Sequence, residues 1–161
     1  MIITLDELKT YLKITTTDED ARLEQIRSGA EKIVKQYCNN EFKHDTYEEE
    51  VYVENGLLHL KNTPVENIEY IKTSEGTELQ YDIIFLSAGI VKLQSSYTGL
   101  AKVKYVGGET PDDIKFATLR LAEYLYNKPA GVASESVGEL KAVYELPDVW
   151  QVLDRYRKVR I

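Results

Sequence analysis

Few residues in this chain could carry out nucleophilic or metal-assisted chemistry. Cys38 is the only cysteine, and His44 and His59 are the only histidines. Cys38 and His44 lie close in sequence and could form a nucleophile and its base, but such a site also needs an orienting partner and an oxyanion site, which no pattern indicates. We therefore interpret Cys38 as a small hydrophobe at a helix end. Two histidines would leave carboxylates to supply most ligands of any metal, so no metal site is predicted.

An acidic run, Glu48, Glu49 and Glu50, is the next candidate. Carboxylates can act as general acids and bases or bind a divalent cation. Alternating charge along a strand edge also explains the run, because acids at an edge discourage aggregation and charge runs are usually solvated. We favour this structural interpretation, and no catalytic set is predicted.

Two further patterns have a phosphate-binding interpretation. Residues 106–109, with the sequence VGGE, precede a helical pattern as a phosphate loop would, but they lack the Lys-Ser/Thr pair and the full glycine spacing. They are better interpreted as a strand-to-helix turn. Arg155, Arg157, Lys158 and Arg160 form a basic cluster, which on an acidic chain more often caps a helix or pairs with acids than binds phosphates. No cofactor is expected.

Length and composition bound the class of protein. The 161 residues suit one domain with one core. A hydrophobic fraction of 43% predicts a folded chain, and the net charge of −7 disfavours binding to DNA or to an anionic membrane. No apolar run approaches the roughly 20 residues of a membrane span, and the first residues lead into a helix rather than a signal peptide. With a single cysteine, this predicts a protein made and kept in the cytoplasm.

Helical patterns occupy both ends of the sequence. Residues 4–7, TLDE, match a capping box, and residues 17–20 give a second start, before a long face that ends at Asn39-Asn40. The apolar face of this second helix comprises Leu23, Ile26, Ala30, Ile33, Val34 and Tyr37.

Two further helices are predicted near the other end. Residues 110–113, TPDD, start a third helix, and residues 146–148, LPD, start a fourth. The third has so broad a stripe that we expect it to be a buried central helix. That stripe comprises Ile114, Phe116, Ala117, Leu119, Leu121, Leu125 and Tyr126; the fourth helix has Val149, Val152, Leu153 and Tyr156 on one side.

Between the helices the apolar period changes to two. Alternation begins at Tyr47, and Asn55-Gly56 is a strong hairpin signal before residues 57–60. Further strand patterns occupy residues 68–72, 79–85, 90–94 and 101–106. The sequence therefore predicts an α+β fold, with about four helices in a small bundle and an inserted antiparallel β region. We expect one domain, 1–161, that is helical over 1–46 and 107–161 with the β insertion at 47–106.

Residues 127–145 have no helical period and are too long for a simple connector. Apolar side chains interrupt an otherwise polar stretch, a pattern that predicts ordering against a neighbouring subunit. Trp150 and the Tyr156–Arg157 pair are aromatic and basic candidates for contact hot spots. The alternative for Trp150 is that it packs the last helix onto its own domain, since tryptophan is usually well buried. The candidate assembly residues are Val132, Glu135, Val137, Leu140, Val143, Tyr144, Trp150, Arg155, Tyr156 and Arg157.

The order of these segments resembles the bacteriophage head-tail connector, or adaptor, proteins of long-tailed double-stranded DNA phages and prophages. The segments that carry the resemblance are MIITLDELKTYLKI, TTDEDARLEQIRSGAEKIVKQYCNNEF, VKYVGGETPDDIKFATLRLAEYLYNKP and SESVGELKAVYELPDVWQVLDRYR. Together they cover roughly the whole helical part of the chain. The β region at 47–106 departs from the family pattern, because it is longer than in the minimal helical members.

The resemblance implies a structural virion protein with no catalysis and no cofactor. Such subunits are made in the host bacterial cytoplasm and assemble into a ring, of about twelve copies, through heterologous interfaces. The ring docks beneath the portal protein at the head-tail junction and offers a platform to the next head-completion or tail protein. An acidic ring suits a channel that DNA passes through without specific binding, because like charge discourages phosphate contacts. No membrane partner is implied.

Two functions of other classes remain open at this point. An acidic binding module or DNA mimic that inhibits a nucleic-acid enzyme would also carry a net negative charge. A hydrolase would need residues 48–50, or Cys38 with His44, to converge in one pocket.

Overall fold

The computed structural model describes residues 1–128 and 146–158, except for the side chains of Ile83 and Ile84. Within those ranges it contains four α-helices and six β-strands, so the α+β prediction is confirmed. The chain divides into two compact units, which we call the helical unit, Met1–Asn39 with Pro111–Ile161, and the β unit, Asn40–Thr110. That the whole chain folds as one domain stays a prediction.

The helical unit contains α1 (Leu5–Leu12), α2 (Asp20–Cys38), α3 (Asp112–Tyr126) and α4 (Pro147–Asp154). Helices α2 and α3 each contact the other three, so α3 shares with α2 the central position that the sequence predicts for it alone. The side chains that fill the core are fully buried and mostly aliphatic, so hydrophobic burial holds the helices together. They include Leu8, Leu23, Val34, Ile114, Leu121 and Leu153.

The predicted helix ends are formed by local hydrogen bonds and backbone geometry. Thr4 and Glu7 make the capping box of α1, with the Thr4 hydroxyl accepting from the Glu7 amide at 3.1 Å and the Glu7 carboxylate accepting from the Thr4 amide at 2.6 Å. Helix α2 stops where Asn39 adopts a left-handed backbone, with φ of 51°. Pro147 occupies the first turn of α4, where its missing N–H costs nothing.

Helix α3 buries a narrower face than the sequence predicts. Phe116 is 55% exposed and makes an edge contact with Tyr11, at 6.3 Å between ring centroids. At about 100° per residue, Phe116 lies roughly 200° around the helix from the buried Ile114, so both cannot face the same core. The prediction that Phe116 belongs to a buried stripe was therefore wrong. The buried face is Ile114, Ala117, Thr118, Leu121 and Ala122.

The β unit consists of two three-stranded antiparallel sheets. The first has the order β1 (Thr46–Val53), β6 (Gly99–Gly107), β3 (Val65–Thr73). The second has the order β2 (Leu57–His59), β5 (Ile90–Leu93), β4 (Tyr81–Phe85). A short 3-10 turn, Leu86–Ala88, joins β4 to β5. The predicted antiparallel β region is confirmed, and its core contains Val53, Leu58, Leu60, Ile71, Val91, Val103 and Tyr105.

The predicted hairpin at Asn55-Gly56 is correct for the turn and wrong for the pairing. The backbones of Glu54 and Leu57 exchange hydrogen bonds of 3.0 and 2.9 Å, and Asn55 and Gly56 have positive φ, as such a turn requires. Beyond this single bridge the strands separate, because all eight residues of β1 pair with β6, whereas β2 has only three residues and pairs with β5. The eight-residue pairing of β1 with β6 thus takes the place of the predicted pairing between β1 and β2.

Candidate assembly surfaces

Trp150 fixes α4 to its own helical unit. Its side chain is only 6% exposed and packs against Tyr37, with 4.8 Å between ring centroids. Leu153, one turn later, is fully buried, and its carbonyl accepts a hydrogen bond from the Cys38 thiol at 3.6 Å. The structure therefore places Trp150 as the alternative interpretation does, packing the last helix onto its own part of the chain.

The turn that follows α4 is held by polar contacts. Tyr37 donates a hydrogen bond to Asp154 at 2.5 Å, and Tyr156 donates to the carboxylate of Asp113, with oxygen distances of 2.9 and 3.0 Å. Burial and the bond to Asp113 raise the pKa of Tyr156 to about 12. Arg157 lies over the ring of Tyr37, 5.0 Å from its centroid. Arg155, in the same turn, is also exposed.

The structure thus places four of the ten candidate assembly residues. Trp150 is buried, Tyr156 is half-buried, and Arg155 and Arg157 are exposed. The other six, Val132, Glu135, Val137, Leu140, Val143 and Tyr144, lie outside the described residues. A role for these ten residues in assembly stays a prediction.

Cys38 lies at the end of α2 and is fully buried, as the sequence predicted for a small hydrophobe. Burial, with the nearby Asp154 charge, raises the pKa of its thiol to about 12. A thiol that stays protonated is a poor nucleophile, since the thiolate is the reactive form.

We expect Cys38 to resist alkylation by iodoacetamide at pH 8 in the folded protein and to react freely in urea. Because its folded pKa is above the ordinary value of 9.0, its contribution to stability is complete below pH 9 and is lost as the pH rises towards 12. Mass spectrometry of the alkylated protein and urea denaturation across this pH range measure the two effects. A Cys38→Ala variant should show a flatter loss of stability; rapid alkylation of the native wild type would contradict this account.

The remaining candidate chemical groups do not form a catalytic set. Glu48 and Glu50 lie on one face of β1 and Glu49 on the other, because successive side chains of a strand alternate. Glu49 accepts hydrogen bonds from the Tyr105 hydroxyl at 2.9 Å and the Lys61 amide at 2.8 Å. The three carboxylates therefore do not converge in one pocket, as a hydrolase would require.

The histidines have surface positions in the β unit. His44 is exposed and its Nε2 lies 2.8 Å from the Glu66 carboxylate, while His59 is exposed on β2. In the part of the chain that the structure describes, no three His, Cys, Asp or Glu side chains are placed to hold a metal ion. Over the same residues, no helix is long and apolar enough to cross a membrane.

The glycine pair at the end of β6 is a strand-to-helix turn, as predicted. The Gly107 amide donates to the Asp45 carbonyl at 2.9 Å and the Gly108 amide donates to the Pro64 carbonyl at 2.8 Å. A Cβ at Gly107 would lie 2.9 Å from the Lys43 carbonyl oxygen, which explains why glycine is needed. Because both amides already have acceptors, they are not available to cradle a phosphate.

Sequence reasoning missed a buried carboxylate in the helical unit. Glu31 on α2 is buried, and its Oε1 accepts from the amides of Ile2 and Ile3 at 2.8 and 3.0 Å and from Arg27 at 2.8 Å. The signal was present as an Arg-Glu pair at i, i+4 spacing. Glu31 lies beside the apolar face of α2 rather than on its polar face, and the Arg27–Glu31 pair is therefore largely buried.

The outer face of the β1-β6-β3 sheet has an exposed apolar end. Tyr52 and Leu100 are direct partners across β1 and β6 and are 63% and 52% exposed. The rest of the face has cross-strand ion pairs, Glu48 with Lys102 and Glu69 with Lys104. A solvated sheet face usually carries polar residues, so this apolar pair is a candidate contact surface.

The net negative charge belongs mainly to the β unit. Residues 40–110 contain twelve Asp and Glu against six Lys and Arg, a balance of −6, while the whole chain has −7. Residues 155–160, RYRKVR, contain four cations and no acid. The chain therefore has an acidic β unit and a basic segment after α4.

Comparison with protein families gives one match over nearly the whole chain. A family model described as head completion protein matches residues 1–159. No curated protein matches the chain significantly.

Solved structures of similar fold come from gene transfer agent (GTA) particles. A chain in the neck of the empty GTA particle, computed with C6 symmetry, matches with a TM-score of 0.64 and 14% identity, covering 99% of this chain and 91% of that one. A chain in the neck of the native GTA particle, computed with C12 symmetry, gives 0.61 and 15%, covering 98% and 89%. A chain in the native GTA virion gives 0.60 and 15%, covering 99% and 91%. At these identities the likeness establishes a shared fold.

Proposed function

Because the chain belongs to the head completion protein family, we propose that it is a ring-forming head-tail connector of a phage-type particle. In this proposal it docks beneath the portal protein and presents a platform to the next head-completion or tail protein. Its place is the virion, at the head-tail junction, after synthesis in the host bacterial cytoplasm. The observation that carries the proposal is the family match over residues 1–159, which spans both units of the fold.

The ring is supported by the setting of the structural relatives. Two of them are neck proteins of particles computed with C6 and C12 symmetry, and each is covered over about nine-tenths of its length. A cyclic ring of more than two subunits requires heterologous interfaces, in which one surface of a subunit fits a different surface of the next. A ring of about twelve copies would use the acidic β unit and the basic segment as two such different surfaces.

Passage of DNA is supported by the charge of the β unit. A surface with a balance of −6 discourages contact with phosphates, which is the property that a channel for a sliding genome requires. DNA would thus pass through the ring without being bound specifically.

Assembly contacts are proposed for residues 127–145 and for the end of α4. Trp150 is buried in its own subunit, so the turn after α4 offers Arg155 and Arg157 as the exposed contact groups. Val132, Glu135, Val137, Leu140, Val143 and Tyr144 complete the proposed interface. The partner of this interface is an adjacent subunit, the portal protein, or both.

Deletion of residues 130–142 is expected to abolish ring formation and leave both units folded. The reason is that, in the proposed interface, the apolar side chains of this stretch would contact a neighbouring subunit. Mass photometry of the variant, alone and with portal-bearing particles, measures assembly, and thermal denaturation measures folding. A control variant in which a glycine-serine linker of equal length replaces 130–142 separates the effect of sequence from that of chain length. Unchanged assembly of both variants would reject the proposed interface.

An acidic binding module that mimics DNA is the second candidate, favoured by the charge of the β unit. It requires a continuous acidic surface, whereas Lys102 and Lys104 interrupt the outer sheet face through pairs with Glu48 and Glu69. It also predicts a monomer or dimer that inhibits a nucleic-acid enzyme. Ring formation on portal-bearing particles would distinguish the connector from this alternative.

A further inference from the structure

The apolar end of the outer sheet face is rimmed by acids. Side chains of β1 alternate, so Glu50 and Tyr52 share one face, and Leu100 lies opposite Tyr52 on β6. The exposed Glu54 follows the last residue of β1. Lys102 lies opposite Glu50 and forms an ion pair with Glu48, so one cation faces two carboxylates on this face. We call Glu50, Tyr52, Glu54 and Leu100 the receiving surface.

This surface differs from an ordinary solvated face in two respects. Two large side chains at directly opposite positions of the two strands, Tyr52 and Leu100, remain more than half exposed. The adjacent carboxylates Glu50 and Glu54 leave this end of the face net acidic, because Lys102, which lies opposite Glu50, is shared with Glu48. An apolar centre with a charged rim is the usual composition of a protein contact, and its acidic rim selects a basic partner.

The segment after α4 has the complementary chemistry. Arg155 is exposed, Arg157 is exposed over Tyr37, and half-buried Val152 lies one turn before Arg155 on α4. No acid occurs between residues 155 and 160. An apolar side chain next to exposed arginines therefore matches an apolar pair next to exposed carboxylates.

We propose that the receiving surface of one copy binds the segment 155–158 of a second copy. The inference rests on the proposed ring, and it names the two surfaces that would alternate around it. Contact between two β units would bring together two surfaces each with a balance of −6, which is repulsive. Contact between the β unit and the basic segment is attractive and joins two different surfaces, as a closed ring requires.

Cysteine cross-linking between two single variants tests the proposal. Glu54→Cys and Arg155→Cys are prepared separately, mixed, and oxidised mildly; native Cys38 is buried, with its thiol pKa raised to about 12, and does not compete. We expect a disulfide-linked heterodimer in yield on the order of tenfold above collision, since docking raises the local concentration of the two thiols. Only contact between copies can produce it, because each chain carries one introduced cysteine.

Glu109→Cys, mixed with Arg155→Cys, is the matched control. Glu109 is also an exposed glutamate of the β unit, and it follows the end of β6 that is opposite to Leu100. The yield with Glu54→Cys should exceed the control and fall as NaCl rises from about 0.05 M to about 0.5 M, because the rim contacts are electrostatic. A yield equal to the control, or a homodimer of Glu54→Cys as the main product, would overturn the proposal.

Wild-type ring formation is measured in parallel by electron microscopy, with and without portal-bearing particles. Rings with cross-linking at the control level would reject the receiving surface and leave the connector function intact. If no ring forms in either condition, the connector function itself fails. The two failures are therefore distinguishable.

Discussion

Replacement of Trp150 by alanine is expected to lower the free energy of unfolding by about 3–5 kcal/mol. The indole is 6% exposed and packs on Tyr37, so its removal leaves a cavity where α4 meets α2. Helix α4 has only eight residues and depends on this packing, because so short a helix is unstable alone. Urea denaturation followed by circular dichroism measures the change.

Two variants of the same helix serve as controls for Trp150. Trp150→Phe keeps most of the aromatic volume and should lose much less stability than the alanine variant. Gln151→Ala alters an exposed neighbour and should change stability by less than about 0.5 kcal/mol. A Trp150→Ala protein with native stability that fails to assemble would instead make Trp150 an intersubunit contact and contradict its structural role.

Replacement of Glu31 by alanine is expected to cost about 3 kcal/mol of stability. The change removes the buried carboxylate acceptor of Arg27, which keeps the Ile3 carbonyl and Glu24, and removes the acceptor for the amides of Ile2 and Ile3. Because that carboxylate ties the first residues to α2, amide hydrogen exchange at Ile2 and Ile3 should also accelerate. Chemical denaturation and hydrogen exchange measure these two effects.

Glu24→Ala is the matched control for Glu31, since Glu24 contacts the same arginine from the surface. Its carboxylate is 50% exposed, so its removal should cost less than about 1 kcal/mol. Glu31→Gln keeps an acceptor oxygen without the charge and should lie between the two alanine variants. Equal losses for Glu31→Ala and Glu24→Ala would show that the buried position of Glu31 has no special role.

Local signals predicted most of the secondary structure. The capping box at Thr4 and Glu7, the stop at Asn39 and the start at Pro147 depend on backbone groups a few residues away, and the structure confirms each. The alternation from Tyr47 onward predicted strands for the same reason. Features decided by neighbours in sequence can be inferred from sequence alone.

Features decided by distant partners could not be inferred in the same way. The turn at Asn55-Gly56 forms locally, but the pairing of β1 with β6 joins residues on opposite sides of the β region. The apolar stripe of α3 predicts a core position for Phe116, because apolar spacing along a helix does not show how much of its surface the neighbouring helices cover. The burial of Glu31 depends on the position of residues 2 and 3, which no spacing within α2 encodes.

The candidate contact residues show the same division. Sequence chemistry singled out Trp150, Tyr156 and Arg157, but their burial and their contacts with Tyr37 and Asp113 required the fold. The exposed Tyr52 and Leu100 pair was not identified from sequence, since each reads as an ordinary strand residue. Their register across two strands 48 residues apart brings them together.

Electron microscopy of the wild-type protein mixed with heads that carry the matching portal protein tests the connector function most directly. The account predicts a closed ring of about twelve copies beneath the portal, with the channel open along the axis. Heads without added density at the portal, and free protein that never forms a ring, would contradict it.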